Sequence, residues 1–568
     1  MVLPRQPRHL FPLIVIVLLG LLLTSPLLLT TCSGGHDIYH HLIFSHHFSS
    51  QLLQGELYPR WLLNMNGGFG SPTFFFYPPV PYYLTAIFSW LPEQSLLGCT
   101  PLGVSISTAR ILSGITTYYW CRELTRSASA LGLALLYMVL PYHFLIDLYI
   151  RFSFAEFWSF AWMPLILYCS RRVNHGDRWA IPALALSLAL LIGTHLPTFL
   201  IFMPILLGYC LLAVTTTSRL IAFTRNGLGI LLGVGLAAIY WLPAMTTQEY
   251  VSMPSMYVGF MHYSNGFLTS WPTPERGWTF RRYLMVVTVG SCLLGLLAWW
   301  WSRRYLAPEI RNKSGYWLVV AVLSLGMTLP WSKPIWDLLP MLQKVQFPWR
   351  FNAVLTVAAI TLFAFAATTL RALVLHGRGY LIRIWALLLV ALLATQLLVG
   401  IEPMFFDRLN ASDIQKALQI SRSPLEYRPR WVPLDQFSKE SVSRLGASTP
   451  QLQSNQPALR WQMVTWAPRQ IRLNISTPQA GTLTLHQYFY PGWIAQRVGL
   501  PQPLPLQPSR EGLIQIHVPS GDYQLTVTLA PLPEELAGRW ISALALLATL
   551  LLAFFPRRQI PVATAKHG

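Results

Sequence analysis

A carboxylate and three imidazoles fall within one short stretch, His36-Asp37-Ile38-Tyr39-His40-His41. If the stretch is helical, Asp37 and His41 share a face, as do His36 and His40, because residues four apart lie one above the other. Imidazole and carboxylate at this spacing suit a divalent cation, with His36, His40 and His41 as ligands. The donor set accommodates Mn, Mg or Zn alike. Asp37 on its own has two readings. It is a base able to take a proton from a hydroxyl, or it is a helix N-cap after Gly34-Gly35. The histidines also have a plain reading, as the water-facing side of a helix lying at an interface.

Further charged or titratable residues lie near predicted helix ends. Asp147, Arg151 and Glu156 sit within DLYIRFSFAE, and His195 within THLP. Lys344 and Arg350 sit within QKVQFPWR. Carboxylates here would orient hydroxyls or a cation, and the cations would hold an anion, with arginine suited to two-pronged contact. Each also has a structural reading, as a cap, an ion-pair partner or an anchor at the bilayer edge.

The elements that position these residues are apolar. Charged residues make up 11% of the 568 and hydrophobic ones 53%. Runs of about 20 apolar residues recur, long enough to cross a hydrocarbon core. Spans are expected near 11–30, 102–121, 128–146, 154–170, 179–194, 198–215, 227–244, 283–301, 315–330, 351–370, 384–400 and 540–555. This predicts a polytopic α-helical membrane protein with about 12 transmembrane helices. The Pro-broken, aromatic piece 78–91 is expected to lie at the interface. The first run is read as an uncleaved helix, since Leu29-Thr30-Thr31-Cys32 fits a lipoprotein box poorly. The 6 cysteines show no metal or disulfide spacing.

The net charge of +20 is scattered over short loops rather than gathered in one patch, which argues against nucleic acid. A large share of the Lys and Arg follows every second predicted helix or lies at the termini. The positive-inside rule then places both termini in the cytoplasm. Asp37, Asp147, Arg151, Glu156, His195, Lys344 and Arg350 all fall at the opposite, outer face. Segments 470–476, 481–486, 512–518 and 522–529 alternate apolar and polar residues between turn signals. They predict a small C-terminal extracytoplasmic β-sandwich. The expected division is a membrane module over 1–400 with its first outer loop at 31–100, a β-rich domain over 401–538, and a last helix with a cytoplasmic tail over 539–568. Within the second, 421–460 reads as an irregular connector.

Several stretches carry a resemblance: GELYPRWLLNMNGGFGSPTFFFYPPVPYYL, DLYIRFSFAEFW, VQFPWRF and YFYPGWIAQ. They resemble the bacterial membrane family labelled pyruvoyl-tetrahydropterin-synthase-related. The order of features is similar to that of the GT-C superfamily of membrane glycosyltransferases. There a first outer loop carries a catalytic acid and a second outer loop a further acid, so the matching positions are Asp37 and Asp147. The resemblance implies a GT-C-like fold in a bacterial inner (plasma) membrane. It also implies transfer of a sugar from a polyprenyl-phosphate carrier to an extracytoplasmic acceptor, be it glycan, lipid or protein. Asp37 would be the general base. Arg151, Glu156, His195, Lys344 and Arg350 would bind substrate, and Trp493 or Tyr490 would stack on a sugar. The pattern departs from relatives with paired acids in the first loop or Asp-x-Asp in the second. The alternatives are a non-catalytic membrane scaffold and a lipid-linked sugar transporter, the latter disfavoured by apolar helix centres and the lack of a clear repeat.

Overall fold

The computed structural model describes residues 10–29, 34–91, 100–177, 179–212, 219–270, 275–401, 404, 409–448 and 451–554. The basic N-terminus, Cys32, Cys99 and the tail beyond 554 lie outside the described residues. At each of the twelve expected positions there is a helix. They are α1 (Leu10–Leu29), α3 (Thr100–Arg122), α4 (Ser127–Val139), α5 (Phe154–Asn174), α6 (Ala180–Ile192) and α7 (Leu196–Leu212). The series continues with α8 (Arg219–Leu236), α10 (Glu275–Ser302), α11 (Pro308–Met327), α12 (Phe351–Ala367), α13 (Gly379–Ile401) and α14 (Pro533–Phe554). The first loop adds α2 (Ile38–Leu53), and α9 (Ala238–Thr246) follows α8. By length and apolar composition 7 helices among the described residues can cross a membrane, or 8 if α11 and the short helix bent 93° from it are one span.

Apolar residues surround most of these helices, so position in the bundle decides what each one touches. Helix α12 is central: 83% of its apolar window is buried, and it packs on α10 and α11. Helices α13 and α14 are peripheral and keep apolar side chains on the outside, as a lipid-facing helix must. Two expected helices differ in outline. The run at 128–146 breaks at Leu140-Pro141, since proline cannot donate its N–H and disfavours helix before it. The chain resumes as a π-helix over Tyr142–Ile150. Helix α10 begins eight residues before the apolar run, because its first two turns (ERGWTFRR) are too charged to register as a span. The stretch 78–91 contains only the short helix Val80–Ala86.

Among the described residues all strands fall between Leu452 and Leu529. They are β1 (Leu452–Ser454), β2 (Arg460–Ala467), β3 (Gln470–Thr477), β4 (Gly481–Tyr488), β5 (Trp493–Arg497), β6 (Pro503–Leu504), β7 (Leu506–Pro508), β8 (Leu513–Val518) and β9 (Gly521–Leu529). A four-stranded sheet runs β1-β4-β8-β7 and a five-stranded sheet runs β2-β3-β9-β5-β6. Every pairing is antiparallel. The period-2 pattern buries Ile471, Leu473, Leu525 and Val527 from one sheet and Leu483, Leu485, Ile514 and Ile516 from the other. All eight belong to one apolar cluster.

The first loop is the joint between helices and sheets. Trp61 Nε1 donates to Gln487 Oε1 at 2.9 Å, and the Tyr488 N–H to the Phe69 carbonyl at 2.6 Å. Asn66 Oδ1 accepts from the Ser423 N–H at 2.8 Å. A buried ion cluster closes the joint. Arg60 Nε lies 3.2 Å from Glu535 Oε2 at the start of α14, and Arg469 Nη2 lies 3.7 Å from Glu535 Oε1. Arg60 also donates to the Ile239 carbonyl at 2.6 Å. Gly70 makes this approach feasible. Its φ is +81°, and a Cβ there would meet Trp61 at 2.5 Å and Gln487 Oε1 at 2.6 Å. We expect Gly70→Ala to cost about 1–3 kcal/mol in backbone strain before the clash is added. It would show as a lower thermal midpoint and faster proteolysis of the β region in the purified chain.

Candidate active site

The segment from Tyr142 to Glu156, expected from the sequence as the second outer loop, builds the centre of the site. The π-helix turns Asp147 inward, and Arg151 and Glu156 follow at the start of α5. Arg151 Nη1 donates to Asp147 Oδ1 at 2.8 Å, to Glu156 Oε2 at 3.0 Å and to the Tyr142 hydroxyl at 3.2 Å. The Tyr142 hydroxyl donates to Glu156 Oε1 at 2.8 Å. Asp147 and Glu156 are 0% and 1% exposed. Charges this deep persist because they are paired and hydrogen-bonded. Asp147 Oδ2 nevertheless has no hydrogen-bond partner among the described residues.

Arg350, from the turn before α12, extends the network. Its Nε lies 3.3 Å from Glu156 Oε2, and Nη1 donates to the Val345 carbonyl at 2.7 Å. Its guanidinium lies 5.3 Å from the Phe347 ring centroid. The same arginine lines a cavity of about 410 Å³ together with His195, Lys344, Tyr77, Tyr257 and Tyr427. The remaining walls are mostly apolar, from α7, α8 and α9. Lys344 Nζ donates to Gln248 Oε1 at 3.4 Å. His195 Nδ1 is tied to Thr198 Oγ1 at 2.7 Å. Burial, with Arg350 nearby, pulls the His195 imidazole down to about 3, so it is neutral at pH 7. The cavity thus offers two cations and a neutral imidazole within a mostly apolar lining. That arrangement suits an anionic head on a long hydrocarbon.

The first loop meets the second through its backbone. The His36 N–H donates to the Ile150 carbonyl at 3.2 Å and the Asp37 N–H to the Arg151 carbonyl at 3.0 Å. Gly35 permits this contact: at φ +119° a Cβ would sit 2.9 Å from Phe152 Cβ. Asp37 occupies the N-cap position of α2, yet its side chain makes no capping bond. It is half-buried and near enough for its charge to be felt at Tyr77, Asp147, Arg151 and Glu426. Asp37 and Asp147 do not line the cavity themselves. They reach it through Arg151, Glu156 and Arg350.

The metal expectation does not find its ligands together. His41 is buried, with Nδ1 at 2.8 Å from the Tyr82 hydroxyl. His36 stands exposed, edge-on to Phe280 at 5.7 Å. Burial lowers the pKa of half-buried His40. Among the described residues, no three His, Cys, Asp or Glu side chains gather closely enough to hold a metal ion. Asp147 and Glu156 are already engaged by Arg151. Helical spacing put the residues on shared faces, but α2 rolls one face into the core, where tyrosine takes the imidazole. The stacking role expected of Trp493 and Tyr490 also fails. They are 6% and 0% exposed and pack against Trp61 and Phe75.

One segment was missed. The supposed irregular connector brings a short turn, Leu425–Tyr427, to the site. Glu426 there is half-buried, and burial lifts its carboxyl to about 7, with the Asp37 charge also raising it. The signal lay in SRSPLEYRPRW, where charges and aromatics crowd a stretch otherwise rich in proline and serine.

Two outcomes follow from these pairings. Arg151→Met leaves buried Asp147 without its cation and Glu156 with Arg350 alone, so the purified chain should lose about 3–5 kcal/mol of stability, read from thermal melts. For Glu426 the folded chain holds its proton more tightly than the unfolded one, whose carboxyl titrates near the ordinary 4.5. Its share of stability is therefore intact below pH 4.5 and declines as pH rises through 7. Glu426→Gln should remove that decline, measured as the thermal midpoint of variant and parent between pH 4.5 and 8.

A family model described as a 6-pyruvoyl-tetrahydropterin synthase related domain, a membrane protein, matches residues 74–406. No curated protein sequence matches the chain. Among solved structures, the Archaeoglobus fulgidus oligosaccharyltransferase in its apo form aligns with a TM-score of 0.43 at 12% identity, over 74% of this chain and 60% of that one. The same enzyme with Zn and sulfate gives 0.44 and 13%, over 74% and 58%. The archaeal oligosaccharyltransferase AglB from that organism, with an inhibitory peptide and a dolichol-phosphate, gives 0.45 and 14%, over 75% and 61%. The chain thus spans about three-fifths of that enzyme's length. The family match extends over more than half of the sequence and takes in the second-loop acids, His195, Lys344 and Arg350: the chain belongs to the 6-pyruvoyl-tetrahydropterin synthase related family of membrane proteins.

Proposed function

We propose that this protein is a GT-C-type membrane glycosyltransferase that moves a sugar from a polyprenyl-phosphate carrier to an extracytoplasmic glycan, lipid or protein acceptor. The observation that carries the reading is the mostly apolar cavity whose lining includes Arg350, Lys344 and neutral His195. It adjoins an ion network built by two loops assigned to the outer face. In this reading all twelve apolar helices span a bacterial inner membrane, and both termini are cytoplasmic. The two sheets form the layers of an outer β-sandwich.

The lipid tail lies along the apolar walls from α7, α8 and α9. The phosphate meets Arg350 and Lys344, where arginine makes charge-assisted bonds in a site sheltered from water. Asp37 takes the proton from the acceptor hydroxyl. The acceptor oxygen then bonds to the anomeric carbon as the bond to the phosphate oxygen breaks, with inversion. The electron pair leaves with the carrier, so a phosphodiester monoanion becomes a phosphomonoester dianion. Arg350 and Lys344 meet that added charge, and no acid is needed to protonate the leaving group. Asp147 and Glu156 hold Arg151 and Arg350 in position. Since the histidines do not fit a metal, no step runs through one.

The test is transfer in membranes from radiolabelled polyprenyl-phosphate sugars. Asp37→Asn should lower turnover by about 100-fold or more with little change in donor affinity. Arg350→Gln should weaken donor binding as well. Transfer that survives Asp37→Asn unchanged would remove Asp37 as the base, and no transfer from any donor would favour a scaffold.

A further inference from the structure

The four-stranded sheet carries a polar row on the face turned away from the core. Gln453 on β1 lies directly opposite Thr484 on β4, Thr484 opposite Gln515 on β8, and Gln515 opposite Gln507 on β7. These four side chains therefore line up across the strands in steps of about 4.8 Å. They form the floor of a cleft of about 620 Å³. Gln507 Nε2 donates to Gln515 Oε1 at 3.2 Å. The side chains of Gln453 and Thr484 bond to no other side chain among the described residues. Phe69 closes one wall, stacked at 3.8 Å on His486 and 5.1 Å on Tyr488. Arg510 stands exposed on the lining and pairs with no carboxylate among the described residues.

We infer that this cleft is a saccharide-binding site, one that holds an oligosaccharide lying across the strands. The chemistry selects the class. Each carboxamide offers two donors and an acceptor without charge, and the threonine hydroxyl offers both. That alternation matches sugar hydroxyls and ring oxygens. The step between strands is close to the length of one pyranose residue, so each row member meets a successive sugar. A lipid would need an apolar floor, and a nucleic acid would need a run of cations. An extended peptide pairs its backbone with a sheet edge, whereas this row runs over the sheet's face. Because Phe69 belongs to the first loop, a glycan in the cleft is held in fixed relation to the helices.

The inference goes beyond the transfer reaction and is tested without turnover. The full chain in lipid nanodiscs, which avoids sugar-headed detergents, is applied to an array of immobilised defined oligosaccharides and extended peptides. We expect retention on a subset of the saccharides. In the double variant Gln453→Ala/Gln507→Ala that retention should weaken about tenfold or more, the loss expected when one or two hydrogen-bonding amides are removed. Both positions are exposed, so folding should be spared, checked by an unchanged thermal midpoint. The inference is overturned if no saccharide is held more tightly by the parent than by the double variant, or if only peptides are retained. Transfer from a lipid-linked sugar in the same preparation, with the array blank, would sink this site alone and leave the proposed reaction standing.

Discussion

The structure depends on one arginine placed between two acids where water is scarce. Arg151 holds Asp147 and Glu156 within 3.0 Å of a single nitrogen, with all three almost wholly buried. In such a medium an unpaired charge is costly, and a paired one is costly to separate. The pairing therefore fixes how the second loop folds. It holds the π-helix onto the start of α5 and sets Glu156 Oε2 where Arg350 shares it. It also fixes the floor on which the first loop rests, since Asp37 and His36 attach to the backbone at Ile150 and Arg151. Shifting that arginine by one turn would disconnect three loops at once.

The apolar helices then act as walls. Those lining the cavity supply most of its apolar surface, and the loops supply its charged groups. The apolar slot without Arg350 and Lys344 would be a lipid crevice like others on the molecule. One such crevice, between α4, α10, α12 and α13, is lined almost wholly by apolar side chains. The ion network without the slot would be a buried structural cluster of the kind Arg60 forms with Glu535.

Much of this was legible in the sequence, for a physical reason. Apolar runs must be helical in lipid, so the helices appear where the runs lie, and the alternating segments at 470–476 and 522–529 pair as β3 and β9. The charges in the outer loops were legible because charge is rare in this chain. Three things were not. Face assignment on a short helix does not say which face turns inward, and His41 went to Tyr82 rather than to a metal. Aromatic residues near a predicted surface do not declare themselves exposed, and Trp493 and Tyr490 are packed under the first loop. Glu426 lies more than 250 residues from the other site acids in a stretch with no periodicity, so nothing local placed it beside Asp37.

The clasp between Arg60 and Glu535 has a consequence for biosynthesis. Its two halves lie at opposite ends of the chain, and the β strands emerge between them. A nascent polypeptide must thread almost every helix, and fold both sheets, before the cation near its beginning can find its acid. Until α14 emerges, Arg60 faces an incomplete neighbourhood, and one fastening of the loop that carries Asp37 is missing. Completion of this joint thus waits on α14, which is made after both sheets.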